Sequence, residues 1–429
     1  KYMAHSKQNQ NWISLAFVWA GALVSIPSLL LGGTLAAGMS LTKTLVTGLV
    51  GYSLVVFIMI LQGIQSTDLG QPTVKVAEQV FGAKGAQRVI SILIAIGCLG
   101  WFGIQANVCG AAFVGFLKTF GLTMPVPMAS LLWGLIMVIT AIYGIRLIRL
   151  LTYVAVPYLI IICLYGLYQA LTSSHVGLLS TYQPAIAMPI STGLSITLGS
   201  FAIGAVIAGD YSQYSPKRSD VVKAAVFGVI PAGVLMIGVG AVLSIVYRSA
   251  DINSAFLQIG LPAISSFALV LGTWKVNVIN AFSGGIAVNN ALGISKKRQK
   301  ITVFVVGVAG TVLAIIGIMN YFTPVMNILG AMIPPVAGVM SAAYWITHKG
   351  DRTQWHSSPG FKWSGIVAWL VGGLVASVPV VMGLIPHIAH PQINPLTGII
   401  LAFIAYLILQ RIEQRQNSKS ELVNKENIN

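Results

Sequence analysis

Charge is what this sequence has least of. Only 8% of its 429 residues are charged, whereas 56% are apolar. A water-soluble chain of this length carries about three times that share of charge to cover its surface. A surface solvated by lipid does not, so the composition argues against a soluble protein and for an integral membrane protein. Acidic residues are the scarcest: nine face 25 basic ones, for a net charge of +16. Such an excess would suit nucleic acid if it were gathered on a soluble domain or a basic helix. Here the basic residues sit in short segments between apolar runs, so nucleic acid is not an expected partner.

Cysteine is nearly absent as well. Cys98, Cys109 and Cys163 all lie inside apolar runs, with no metal-ligand spacing and no disulfide framework. They read as small core residues. There is no phosphate-binding loop, no metal-binding histidine pair and no nucleophile elbow. No enzyme activity, metal or cofactor is therefore expected. No polar stretch is long enough for a soluble domain. The polar start, Lys1 to Trp12, precedes an apolar run without a small-residue cleavage exit, so the first span is expected to be retained. Glycine, by contrast, is plentiful at 45 residues, and small residues let membrane helices approach closely.

A bilayer-spanning helix needs about 20 mostly apolar residues. The sequence predicts twelve such spans, at 12–38, 42–64, 87–116, 126–145, 150–171, 190–213, 221–247, 260–285, 301–318, 320–346, 364–385 and 395–411. Loop charge supports the count. With a cytoplasmic amino terminus, all but four of the 25 basic residues fall on the cytoplasmic side. Lys43, Lys118 and Arg248 fall on the other side, and Lys275 lies within a span. This is the bias of the positive-inside rule. It predicts a multi-pass protein of the cell's inner (plasma) membrane with both termini cytoplasmic. The run Lys296–Lys300 reads as a plain cytoplasmic loop. The stretch from Asp68 to Gly82 reads as a short amphipathic surface segment with Pro72 in its first turn. His387 and His390 fall in a predicted outer loop and read as solvated.

Polar side chains inside a bilayer are costly and mark function more often than in water. Four places stand out. The first span reads Ser25-Ile26-Pro27-Ser28, then Gly32-Gly33-Thr34, a sequence that breaks a helix or at least kinks it at the proline. The sixth reads Gly199-Ser200-Phe201-Ala202-Ile203-Gly204 and reaches Asp210. Paired interruptions in matching positions of two halves point to a transporter site, where free helix ends bind a solute or ion. Asp210 lies near the cytoplasmic end and reads as a structural or gating ion pair rather than a substrate contact. In the third span Trp101 and Gln105 share one helical face: an indole for stacking, an amide for hydrogen bonds. In the eighth, Asn277 and Asn280 share a face, and Lys275 is the one basic residue at mid-span depth. Burial disfavours its ammonium unless something compensates.

These residues, Gly32-Gly33-Thr34-Leu35, Gly100-Trp101-Phe102-Gly103, Gly199-Ser200-Phe201 with Asp210, Trp274 with Asn277, and Ile333-Pro334-Pro335-Val336-Ala337-Gly338, carry a resemblance from about residue 12 to 411. The chain resembles the nucleobase–cation symporters of the cytosine, purine, hydantoin and allantoin permease group, and most of all bacterial cytosine permeases. The resemblance implies a LeuT-type fold with spans one and six broken: a five-helix repeat at 12–171, an inverted repeat at 190–346 and two additional helices at 364–411. Cytoplasmic ends at 1–11 and 412–429 complete the chain. It also implies a planar heterocycle held between Trp101 and Phe201, hydrogen-bonded by Gln105 and by Asn277 or Asn280, with Gly199, Ser200 and Ser28 at the helix breaks. Gln105 fits the hydantoin and allantoin branch better than the cytosine one.

Sodium-coupled members of the group set span-one carbonyls and span-eight hydroxyls around the ion. The positions just before the asparagine are Lys275 and Val276 here, and neither supplies a hydroxyl. Lys275 is therefore expected to substitute for sodium, protonated when it bridges to the carbonyls around Ser25 to Leu29. The expected function is sodium-independent import of a nucleobase or related heterocycle by alternating access, with a proton as coupling ion if the lysine titrates. The alternatives are a sodium-coupled symporter and an amino-acid or amine carrier on the same fold. A channel would need polar residues along several spans, and a sensor a soluble output domain; neither is present.

Overall fold

Pro27 sits in the first turn of the Ile26–Gly38 helix, where its missing N–H is not needed. The preceding helix, Trp12–Leu23, is capped by Asn11, whose side chain accepts from the Ser14 N–H at 2.8 Å. Ser25 between them is extended, and the two helices meet at a 58° bend. The bend falls within the first predicted span, at Val24 and Ser25.

The computed structural model describes residues 10–143, 145–249, 251–383 and 395–426 and is helical throughout, without strands among those residues. Nine of its helices are long and apolar enough to cross a membrane, or ten with the bent pair taken as one. They include Leu41–Leu69, Ala83–Lys118, Arg218–Val246, Pro262–Leu292 and Ile318–Thr347. The Gln299–Ile315 helix is apolar but shorter. The run from 190 to 212 is divided into Ile190–Ser200, Ala202–Val206 and Gly209–Ser212. Phe201 occupies the first division, with φ −126° and ψ 16°. Pro334 and Pro335 likewise divide Phe322–Met332 from Pro335–Ser341.

Two elements differ from the sequence reading. The chain from 395 continues as one helix, Pro395–Glu426, so most of the expected tail at 412–429 is helical. Its Glu, Gln, Lys and Arg residues are strong helix formers that lower hydropathy without ending the helix. The stretch from Asp68 to Gly82 does not lie wholly at the surface. It forms Thr73–Val76, half of it buried, and Glu78–Phe81, buried throughout, with Pro72 as the cap before the first. The 355–362 segment covers them. Trp355 Nε1 donates to the Val76 carbonyl at 3.2 Å, Ser357 Oγ to Glu78 at 2.6 Å and Lys362 Nζ to the Gln79 carbonyl at 3.2 Å. His387 and His390 lie outside the described residues.

The Ala83–Lys118 and Pro262–Leu292 helices pack along each other and carry the two amide-bearing faces singled out above. The interrupted helices at 12–38 and 190–212 lie across from them, and the cavity described next is lined by residues of all four segments.

Candidate functional site

A cavity of about 680 Å³ lies among these helices. Trp101, Ser200, Phe201, Lys275 and Asn280 all line it, so five residues expected at the site converge from three separate regions of the chain. Trp101 is buried and meets Phe322 edge-on, with ring centroids 6.2 Å apart, which fixes the indole from behind. Phe201 is half-buried at the break after Ser200. Its ring folds over Gly204, where a Cβ would lie 2.7 Å from the ring, so glycine at 204 is what admits this rotamer.

The two asparagines divide their work. Asn277 is fully buried and does not line the cavity. Its Nδ2 donates to the Phe102 carbonyl at 3.0 Å and lies 3.1 Å from the Met137 sulfur. Asn280, one turn on, lines the cavity and donates from Nδ2 to Asn277 Oδ1 at 3.2 Å. Asn277 therefore braces the amide that reaches the space.

Gln105, Ser28 and Gly199 lie behind the wall rather than on it. Gln105 is buried, and its amide nitrogen has no hydrogen-bond partner. Ser28 is buried, and Ser200 donates its hydroxyl to the Thr197 carbonyl at 2.7 Å within its own helix. Gly199 faces the Phe322–Met332 helix; a Cβ there would lie 1.8 Å from the Met326 carbonyl oxygen.

Lys275 lines the cavity and is 5% exposed. It makes no hydrogen bond or ion pair with any described residue; the two ion pairs among those residues are Lys75–Glu78 and Arg218–Asp68. Asp210 does not form the ion pair expected of it. Its Oδ1 accepts from the Thr73 backbone N–H at 2.7 Å, an unpaired donor at the start of the short helix after Pro72. The ion pair in this part of the molecule is Arg218–Asp68, 2.7 Å, and Tyr344 also donates its hydroxyl to Asp68.

Sequence reasoning missed Trp19, Tyr52 and Tyr211. Trp19 and Tyr211 line the cavity. Tyr52 is fully buried, its ring lying against Gly233 of the Arg218–Val246 helix. A polar aromatic inside an apolar run was the available signal for Trp19 and Tyr52; Tyr211, between Asp210 and Ser212, offered none.

A largely apolar cavity between interrupted membrane helices, with stacking rings and few polar groups, defines a small-molecule permease rather than an enzyme. The sequence model of the family described as permease for cytosine/purines, uracil, thiamine and allantoin matches residues 2–400, and the chain belongs to that family. It is therefore an integral membrane transporter of the nucleobase class. It is similar to the cytosine permease of Escherichia coli strain K12, 28% identical over 409 residues, covering 95% of this chain and 92% of that one. Among solved structures it shares the fold of Mhp1. For inward-facing Mhp1 the TM-score is 0.77 at 19% identity, over 95% of this chain and 93% of that one. For closed Mhp1, a nucleobase–cation-symport-1 family transporter with bromovinylhydantoin bound, it is 0.71 at 21% identity, over 94% and 93%.

Proposed function

We propose that this protein imports a planar nucleobase-like heterocycle by alternating access, without sodium, using Lys275 as a built-in cation. The observation that carries the reading is the single cavity wall shared by Trp101, Phe201, Asn280 and Lys275. Two rings suit a flat solute, one amide fixes its edge, and the ammonium stands where a coupling ion would bring its charge. Gln105 adds an unpaired amide one turn beyond Trp101, within the helix that presents the indole.

The bent pair, the interrupted 190–212 run and Gln299–Ile315 bring the nine long helices to twelve spans. On this count spans one to five and six to ten are the inverted repeats of a LeuT-type bundle, and the last two helices are additions. Both termini are cytoplasmic in the inner membrane, because the basic loops gather on that side. Of the exposed members of the cavity wall, Phe17, Tyr153 and Tyr211 belong to helix ends next to those basic segments, while Val18, Ala22 and Ile279 lie farther along their helices. The first three support a cavity open toward the cytoplasm. In such a state the link between Lys275 and the span-one carbonyls is released, which agrees with a lysine that has no partner here. Protonation before the link forms and proton loss after it breaks would couple import to protons.

Thermal-shift screening of the purified protein against cytosine, purines, uracil, allantoin and hydantoins tests the substrate reading. At least one ring should stabilise the protein, and Trp101→Ala should abolish that shift. Undiminished affinity in Trp101→Ala would remove the stacking role.

A further inference from the structure

On the reading of the cavity as the substrate site, its charge selects among heterocycles. Among the described residues that line it, Lys275 is the one basic side chain, and no Asp or Glu accompanies it. Its walls include Val276 and Ile279, and Lys275 itself is almost entirely out of water without a counter-charge. An ammonium donates only. The neutral polar side chains of the wall, Ser200, Tyr211, Ser283 and Asn280, can donate or accept and carry no charge. The charge at the cavity wall is therefore positive and uncompensated among the described residues.

A charge removed from water without a partner is strongly disfavoured, and apolar walls strengthen whatever field it exerts. A ligand bearing the missing negative charge removes that penalty on binding. An amino-substituted ring instead points donors at donors. We propose that the cavity selects acidic oxo-heterocycles, planar rings with carbonyl oxygens and an ionised acidic group, and that Lys275 sets this specificity. A lysine that only replaces sodium needs span-one carbonyls and is indifferent to the solute's charge, so the two roles of Lys275 separate experimentally.

The test is isothermal titration of the purified full-length protein at pH 7 with three rings of similar outline: uracil-6-carboxylate, uracil and cytosine. The carboxylate should bind at least ten-fold more tightly than uracil, and uracil more tightly than cytosine. Lys275→Met should erase the advantage of the carboxylate over uracil, read as the ratio of the two affinities, and Lys275→Arg should retain that ratio. Cytosine binding as tightly as the carboxylate in the unaltered protein would overturn the proposal without any variant. A carboxylate preference that survives Lys275→Met would overturn it too. Absence of binding by all three rings, and by the wider panel above, would instead bring down the reading of the cavity as a heterocycle site.

Discussion

Asn280 Nδ2 donates to Asn277 Oδ1 across 3.2 Å, and Asn277 in turn donates to the Phe102 carbonyl at 3.0 Å. The relay runs from a fully buried amide to one on the cavity wall, across the contact between the Pro262–Leu292 and Ala83–Lys118 helices. It predicts unlike outcomes for two chemically identical changes. Asn280→Ala removes a ligand contact and should weaken substrate affinity about ten-fold, the equivalent of one net hydrogen bond. Its thermal midpoint should barely move. Asn277→Ala leaves buried groups unpaired and should cost about 1–3 kcal/mol of stability. Affinity and thermal unfolding measured on both variants check the division.

Gly199 is held to a structural role by its neighbour. A Cβ would overlap the Met326 carbonyl oxygen, which is backbone and does not yield easily. Gly199→Ala should therefore force the Ile190–Ser200 helix away from Phe322–Met332. A destabilisation of about 1–3 kcal/mol is expected, as for other overpacked cores. Gly21→Ala is the control, because nothing lies within 4 Å of a Cβ there. Both are read by thermal unfolding in one detergent.

His348 follows the Ile318–Thr347 helix and pairs its Nδ1 with Gln354 Oε1 at 3.1 Å. Partial burial holds its pKa below the ordinary 6.5, and nearby His356 and Lys362 push the same way, against the Gln354 hydrogen bond and Asp351. The folded chain thus takes up this proton less readily than the unfolded one. Below pH 6.5 protons favour unfolding, so the contribution of His348 is full above that value and declines as pH falls toward the folded pKa. His348→Gln should flatten the acid side of a plot of thermal midpoint against pH. An unchanged slope would mean that other groups carry it.

Much of this architecture is legible in the sequence, for physical reasons. Lipid solvation forces long apolar runs, and translocation sorts the basic loops, so the spans and the stray Lys275 both emerge from counting. Trp101 and Phe201 stand out because glycines flank them in otherwise aliphatic runs. What periodicity cannot supply is depth. Asn277 and Asn280 share a face at three residues' spacing, and only the neighbouring Phe102 and Met137 decide which one is covered. Asp210 is similar: an acidic residue in an apolar run suggests an ion pair, but its partner is a backbone N–H freed by a proline turn more than a hundred residues earlier. Trp19 and Tyr52 are visible as polar aromatics inside apolar runs, but the segments they meet, such as Gly233 against Tyr52, are remote in sequence and no local pattern reports them. The helical tail after 411 was hidden by its charge, since hydropathy registers solvation and not propensity.

The built-in cation is tested most directly by uptake of a radiolabelled substrate into proteoliposomes, first in sodium chloride and then with sodium replaced by choline. If the Lys275 ammonium stands in for the ion, the initial rate is the same in both media, and Lys275→Ala abolishes it in both. A rate that vanishes in choline and returns with added sodium would contradict a lysine that does the work of the cation.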